Sequence, residues 1–447
     1  MKTPIFDFVN KYADSDSLRL HMPGHKGKAV LGVEGLDITE ITGADVLYNA
    51  KGIIKESEEN AASLFGTKRT LYSAEGSSLA IRAMVYLIKM QALSLGNKPL
   101  LLAARNAHKA FVTALGLLDV QVEWMLPDDA QSLISCNITA EYLDSRLSDM
   151  KEKPSAVYVT SPDYLGNILN IAELSQVCKK HGVLLAVDNA HGAYLKFLPD
   201  DIHPITLGAD ICCDSAHKTL PVLTGGAYLH ISENAPKLFC QRAEAALSIF
   251  ASTSPSYLIL ASLDRANSYL ADDYASKLAE FISMVAELKD KIKKSGFTVL
   301  GDEPLKLTVS AKPFGYTGCQ FAEIFEKQNI ICEFADNDFL VFMLTPETGK
   351  SGIERLYTAF SNITRKPPIE ARPPVPLLKN KKLTLNQALF SPIIELPVEK
   401  CVGKISADVA VNCPPAIPII ICGEEIDCDA VESFKYYGIS KIRVIDE

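Results

Sequence analysis

Several things are scarce in this 447-residue chain, and each scarcity excludes something. There is no surplus of basic residues: 45 Lys and Arg stand against 54 Asp and Glu, a formal charge of −9, so the global basic footprint of a dedicated nucleic-acid binder is missing. No uninterrupted apolar run reaches the length of a membrane span, and acidic residues enter "MKTPIFDFVNKYADSD" too early for a secretory signal. The 11 cysteines are scattered from Cys136 to Cys428 without a CxxC pair, which argues against a disulfide framework or a zinc knuckle. Cys212 and Cys213 sit inside the apolar run "GADICCDS" and read as small buried strand residues. Charged residues make up only 22% against 48% hydrophobic, a surface poor in charge that suits burial against a partner subunit. These features together predict a reduced, cytoplasmic, soluble protein.

A chain of this length exceeds what one hydrophobic core usually supports, so about two or three packed units are expected. In the middle of the sequence, short apolar runs alternate with helical periodicity, the pattern of a largely parallel sheet covered on both faces. "SAVYVTSPDYLGN" reads as a strand and loop, "ILNIAELSQVCKKHG" as a helix ended by glycine, and "VLLAVDNAHG" as a strand whose first polar residue is Asp188. "ADICCDSAHK" delivers Ser215, His217 and Lys218 to a strand exit, and "KPLLLAARNAHK" does the same for Arg105, Asn106, His108 and Lys109. Ligands of open α/β sheets sit outside the carboxyl ends of strands, so the site is expected where these loops converge. In "TLYSAEGSSLAIRAMVYLIKMQALSLG" a strand passes through Gly76, Ser77 and Ser78 into a long helix, whose N-terminus suits a phosphate.

Beyond residue 266 a long helical stretch leads into a smaller α/β unit. The proline-rich "TRKPPIEARPPVPLLKNKK" then marks a boundary, and "NCPPAIPIIICGEEID" reads as a compact β-rich appendage. The divisions are therefore an N-terminal segment over 1–50, a large domain over 51–265, a small α/β domain over 266–365 and a C-terminal domain over 366–447.

Asp188 and Lys218 follow successive strands on one sheet edge, and a pyridoxal-phosphate enzyme needs both types. The lysine amine condenses with the cofactor aldehyde, while the aspartate keeps the pyridine nitrogen protonated and the ring an electron sink. Gly76 to Ser78 add a phosphate cradle, and Ser215 and His217 can donate to phosphate oxygens. Of only eight histidines, His108, His191 and His217 all follow strand exits.

The ordered set "RLHMPGHKG", "DITEITGADVLYNAKGIIKESEENAASLFG", "EGSSLA", "RNAHKA", "TSPDYLGN", "VDNAHGAY", "GADICCDSAHKTLPVLTGG", "STSPSYLILASLDRA", "TLNQALFSP" and "NCPPAIPIIICGEEI" spans nearly the whole chain. It resembles the Orn/Lys/Arg decarboxylase family, the basic amino-acid decarboxylases, in a compact form without a preceding regulatory-like domain. The resemblance implies an α/β fold of the pyridoxal-phosphate-dependent transferase type I, similar to aspartate aminotransferase. It also implies pyridoxal 5'-phosphate as cofactor, held covalently by Lys218, with Asp188 on the ring nitrogen and His108 stacked on the ring. Gly76, Ser77, Ser78, Ser215 and His217 would surround the phosphate, with His191 near the reacting carbon and Lys218 or His191 as proton donor. The loop with Ser252 and Thr253 is similar to one near a subunit boundary, which implies a homodimer or higher homo-oligomer. By the same resemblance His21 and His25 lie in a glycine-rich N-terminal loop expected to help close the site, without individual roles. The expected reaction is decarboxylation of a basic amino acid, arginine slightly ahead of lysine or ornithine, with Glu333 and Asp336 in "ICEFAD" as candidate carboxylates for the substrate's distal cation. Neither a nucleic acid nor a membrane is an expected partner, and no metal is expected.

The sequence departs from the family pattern at three places. Glu75 precedes the phosphate glycine where a small residue or asparagine is usual, Asn189 replaces the acidic residue of "DEAHG", and Gly225 stands where glutamine is common. Two alternatives remain open at this point: an aminotransferase of the same fold, with Arg355 or Arg365 clamping a carboxylate, and a cofactor-binding homologue without turnover.

Overall fold

The computed structural model describes residues 1–127, 132–374, 377–408, 412–413 and 417–446; parts of the proline-rich connection and of the "NCPPAIP" motif lie outside them. The apolar runs become a seven-stranded sheet built from β1 (Arg69–Ser73), β2 (Leu100–Ala104), β3 (Gln121–Met125), β4 (Ala156–Thr160), β5 (Leu184–Asp188), β6 (Ile211–Asp214) and β7 (Ala227–Ile231). Its strand order is β1-β7-β6-β5-β4-β2-β3. The residues of β2 and β6 are buried throughout, which is why they read as continuous apolar runs and not as alternating ones. β5 pairs parallel with β6 and β2 with β3, while β7 runs antiparallel to both β1 and β6. Since β7 reverses direction between them, β1 points the same way as β5 and β6. Their carboxyl ends, at Ser73, Asp188 and Asp214, therefore share one edge.

The chain divides into two compact units, and the large sheet supplies strands to both. The first comprises Met1–Pro99, Ser155–Val157 and Ile171–Ser276, and the second Leu100–Pro154, Tyr158–Asn170 and Lys277–Glu447. In the first unit a 19-residue helix, Gly76–Ser94, follows β1 after a two-residue turn and buries Leu79, Ile81, Met84, Val85, Leu87 and Ile88. The crossover helix Ile171–His181 ends at Gly182, whose φ of +62° suits a residue without a Cβ. The long helical stretch expected beyond residue 266 is two helices, Tyr257–Ala271 and Tyr274–Lys294. Asp272, at φ −88° and ψ −111°, breaks the helical geometry between them, a local conformation that periodicity alone does not signal.

The second unit holds a four-stranded antiparallel sheet made of β8 (Thr298–Leu300), β9 (Lys306–Ser310), β10 (Phe334–Ala335) and β11 (Phe339–Met343), in the order β10-β11-β9-β8. The C-terminal region is mixed, not purely β-rich. The strands Ile393–Pro397 and Lys441–Ile445 pair antiparallel, and the helix Cys428–Tyr436 lies between them in the chain. Its Val398, Cys401, Ile420, Ile426, Phe434 and Val444 share one buried cluster with Ile134, Leu165 and Val341 of the same unit. Among the described residues no helix is long and apolar enough to cross a membrane, and ten of the eleven cysteines, Cys413 apart, are free thiols.

Candidate active site

Lys218 lies on a four-residue helical turn, Ala216–Thr219, directly after β6. Its Nζ is 3.1 Å from Nε2 of His191, which is 5% exposed. His191 follows Asp188 by three residues, at the end of the neighbouring strand β5. Asp188 is 2% exposed; its Oδ1 accepts from the Ala190 amide at 3.2 Å and from the Cys213 thiol at 3.6 Å. Burial, and then the charge of Asp188, push the Cys213 thiol far up, so it is a neutral donor and no nucleophile.

On the same edge, the turn after β1 enters the 19-residue helix at Glu75 and Gly76. Ser215 Oγ donates to Ser77 Oγ at 2.8 Å, joining the two turns side by side. Gly76 has φ +71° and an added Cβ there would meet no atom within 4 Å, so open space lies over the helix start. Its own amide is already used, donating to the Gly225 carbonyl at 2.7 Å. Gly76 thus serves by its backbone conformation, and the anion-binding amides expected there begin after it. His217 donates Nδ1–H to the Gly226 carbonyl at 2.9 Å, which fixes the ring and its tautomer.

Each departure from the family pattern has a local partner. Glu75 Oε1 accepts from the Ser252 amide at 2.7 Å, which holds its carboxylate toward the "STSPSY" loop. Asn189 Nδ2 donates to Asp214 Oδ1 at 2.7 Å. Gly225 has φ +101°, and a Cβ there would lie 2.9 Å from the Ala74 carbonyl oxygen, so a glutamine would not fit this backbone.

The structure therefore gathers Gly76, Ser77, Asp188, His191, Ser215, His217 and Lys218 at one sheet edge, with Ser78 in the first turn of the same helix. His108, Glu333, Asp336, Arg355 and Arg365 belong to the second unit, while His21, His25, Ser252 and Thr253 lie in the first. His108 is the N-cap of helix Lys109–Leu117, its Nδ1 accepting from the Ala110 amide at 3.1 Å. Arg105, from the same motif, is buried and donates to the carbonyls of Pro418 and Ile419 at 2.9 and 3.1 Å, so it anchors the C-terminal region. Glu333 is exposed and accepts from the Tyr164 hydroxyl at 3.1 Å. Asp336 is buried, and its Oδ1 closes its own turn by accepting from the amides of Asp338 and Phe339, both at 2.7 Å. Burial pushes its carboxyl up to about 6. Arg355 donates to the carbonyls of Gln328 and Asn329, and Arg365 lies over the Phe314 ring at 5.8 Å. Sequence reasoning missed His203, His230 and Asp214, a fully buried set behind the Asp188 and Ser215 turns. The one available signal was the polar Asp214 closing an apolar strand.

Comparison with known proteins gives the family and the fold. The family described as Orn/Lys/Arg decarboxylase, major domain, matches residues 3–303. An arginine decarboxylase of Bacillus subtilis is 29% identical over 95% of this chain and 91% of its own length. An uncharacterized protein of the same organism, YaaO, is 28% identical over 97% and 93%. Among solved structures, the lysine decarboxylase LdcF of Francisella novicida has the same fold, with a TM-score of 0.81 at 18% identity over 99% of this chain and 81% of that one.

Proposed function

Because the chain belongs to the Orn/Lys/Arg decarboxylase family, we propose that it removes the α-carboxyl group of a basic L-amino acid, releasing the corresponding amine and carbon dioxide. Arginine is the first candidate substrate, ahead of lysine and ornithine, because relatives named arginine decarboxylase are similar over nearly the whole chain. The observation that carries the reading is the pairing of Lys218 Nζ with His191 Nε2 at 3.1 Å, at the end of a strand whose parallel neighbour ends on the buried Asp188.

Pyridoxal 5'-phosphate fits this donor set: an amine for its aldehyde, a sealed carboxylate for its ring nitrogen, and a helix N-terminus with serine hydroxyls for its phosphate. When bound, it supplies the electron-accepting ring into which the bonding electrons of the departing carboxylate pass. Ser77, Ser78 and Ser215 would hold the phosphate at the helix start, and His217, whose Nδ1–H is spent on the Gly226 carbonyl, would add an Nε2–H donor there as an imidazolium. Asp188, oriented by the Ala190 amide and the Cys213 thiol, would be the partner of the ring nitrogen. Lys218 would hold the aldehyde at rest, and the family resemblance gives His108 the part of stacking on the ring. Lys218 and His191 share a hydrogen bond, so a proton can sit on Nζ or on Nε2, and the pair delivers it to the substrate's α-carbon once carbon dioxide has left.

Glu333 is the favoured partner for the distal cation, since Asp336 already closes its own turn. A carboxylate suits the forked donors of a guanidinium better than a point ammonium. The protein acts in the cytoplasm as a homodimer or larger homo-oligomer. The exposed apolar side chains of Leu18, Leu20, Met22, Val30 and Leu31 support burial of the N-terminal loop against a second copy.

The test is to incubate cofactor-loaded protein separately with arginine, lysine and ornithine and to measure both carbon dioxide and the amine. Stoichiometric release of the two from any of them is the expected result. Pyruvate-dependent amino transfer without carbon dioxide overturns it in favour of an aminotransferase, and bound cofactor with no turnover makes the protein a non-catalytic homologue.

A further inference from the structure

Behind the Asp188 and Lys218 turns lies a buried polar cluster that the chemistry above does not use. Asp214, the last residue of β6, has no exposed surface on its side chain, and neither do His203 and His230. Its Oδ1 accepts from Asn189 Nδ2 at 2.7 Å, and its Oδ2 accepts from His203 Nε2 at 3.0 Å and His230 Nε2 at 3.2 Å. His203 Nδ1 accepts from the Ile205 amide, so this ring carries its proton on Nε2. His230 Nδ1 bonds Thr70 Oγ1 at 2.8 Å, and that hydroxyl bonds Thr67 Oγ1 at 2.7 Å. The Phe65 ring packs against both imidazoles, with centroids 5.4 and 4.5 Å away.

Two histidines and an aspartate with their ligand atoms within 4.8 Å also match a metal set. The hydrogen bonds favour the other use. An Nε2 that carries a proton for Asp214 has no lone pair left for a cation, and three donors account for both carboxylate oxygens. Burial pushes the Asp214 carboxyl up, but the two imidazoles that donate to it overcome this and hold it well below the usual range. Burial keeps His230 neutral in turn. The cluster is a sealed anion solvated by the protein.

Its place in the chain gives it a task. Asn189 directly follows Asp188, and Asp214 directly precedes Ser215. The Asn189 amide nitrogen also donates to the Cys213 carbonyl at 3.0 Å. One amide-carboxylate bond therefore ties the turn that carries Asp188 and His191 to the turn that carries Ser215 and Lys218. We propose that Asn189 and Asp214 are a matched positioning pair: the buried anion at 214 requires a neutral donor at 189, and their bond sets how the two cofactor-bearing turns face each other. The proposal rests on the cofactor roles given above to those four residues. An acidic side chain at 189 would put a second carboxylate about 3 Å from the first in a sealed space, so one must take up a proton or pull away, and either displaces a turn.

The experiment uses the full chain as wild type, N189D, D214N and the exchange N189D/D214N. In the exchange an Asn side chain at 214 donates to an Asp side chain at 189 while its oxygen accepts from both histidines, so each bond survives with the roles reversed. Pyridoxal 5'-phosphate affinity, the visible circular dichroism of the bound cofactor and thermal melting are measured for all four. N189D is expected to bind the cofactor about tenfold more weakly with an altered dichroic band, and the exchange to return within about threefold of wild type with the native band. An exchange as impaired as N189D, or an N189D indistinguishable from wild type, overturns the pair. If N189D does not fold, a folded, cofactor-binding exchange variant supports the proposal and an unfolded one overturns it. Stoichiometric transition metal in purified wild type also overturns it, by making the cluster a metal centre. A wild type that takes up no cofactor removes the site assignment instead, and the pair is then decided by whether the exchange restores the melting temperature that N189D loses.

Discussion

The Gly76 amide donates to the Gly225 carbonyl at 2.7 Å, so the turn that opens the long helix is held by a backbone segment seven residues beyond Lys218. This bond requires Gly225 at φ +101°, with the Ala74 carbonyl 2.9 Å from where a Cβ would sit. Gly225→Ala is therefore expected to destabilise the fold by about 1–3 kcal/mol and to weaken pyridoxal 5'-phosphate binding. Denaturant melts and cofactor titration check both effects. Unchanged affinity would separate this contact from the phosphate side of the site.

Lys218 and His191 are expected to fail differently. Lys218→Ala loses the visible absorbance of bound cofactor and all turnover while keeping the far-ultraviolet circular dichroism of the folded chain. His191→Gln keeps the absorbance and lowers kcat by about 10²- to 10⁴-fold, the usual scale for losing a proton-transfer group. Spectra and steady-state rates on the two variants distinguish them. An unchanged spectrum in Lys218→Ala removes that residue from the site.

Glu58, buried on helix Ile53–Phe65, gives the stability a pH dependence away from the site. Burial pushes its carboxyl from 4.5 up to about 8, although the Tyr72 amide donates to its Oε1 at 2.9 Å. The folded pKa lies above the unfolded one, so its favourable contribution is complete below the unfolded value and is lost as pH rises through about 8. Glu58→Gln keeps an acceptor for Tyr72 and removes the titration. The variant is expected to melt roughly 5 °C above wild type near pH 9 and to have no such lead near pH 4. Parallel melting curves across this range would refute it.

In the second unit Lys306 Nζ lies 3.0 Å from Glu303 Oε2, with the side chains 1% and 2% exposed, and also donates to the Asp163 carbonyl at 3.0 Å. Lys306→Met takes from a buried carboxylate the cation bonded to it, leaving Lys289 as a neighbouring charge, and is expected to cost about 3 kcal/mol in chemical denaturation. Adding Glu303→Gln recovers part of that loss. A double variant no more stable than the single one would show that packing around Lys306, and not charge, sets the cost.

How much of this was legible in the sequence depended on how local the cause was. Asp188 was readable at a strand exit because a strand buried on both faces is a run of apolar residues whose first polar residue marks the loop, and Ser215 followed one residue after the polar Asp214 that closes β6. The helix start at Gly76 was readable from Gly-Ser-Ser after a strand. The use of the Gly76 amide was not, since its partner is 149 residues away across the turn. The break at Asp272 was hidden because both flanking segments have helical spacing.

Motifs continuous along the chain were enough for the family, and periodicity for the alternating α/β order and the residue types at the carboxyl ends of β5 and β6. Which polar groups face one another came from strand pairing in three dimensions. β7, antiparallel between β1 and β6, sets Thr70, His230 and Cys212 side by side, and with them His203 and the two oxygens of Asp214. A buried charge is stable only where distant segments converge to solvate it, and that convergence is a property of strand pairing that no local stretch of sequence contains.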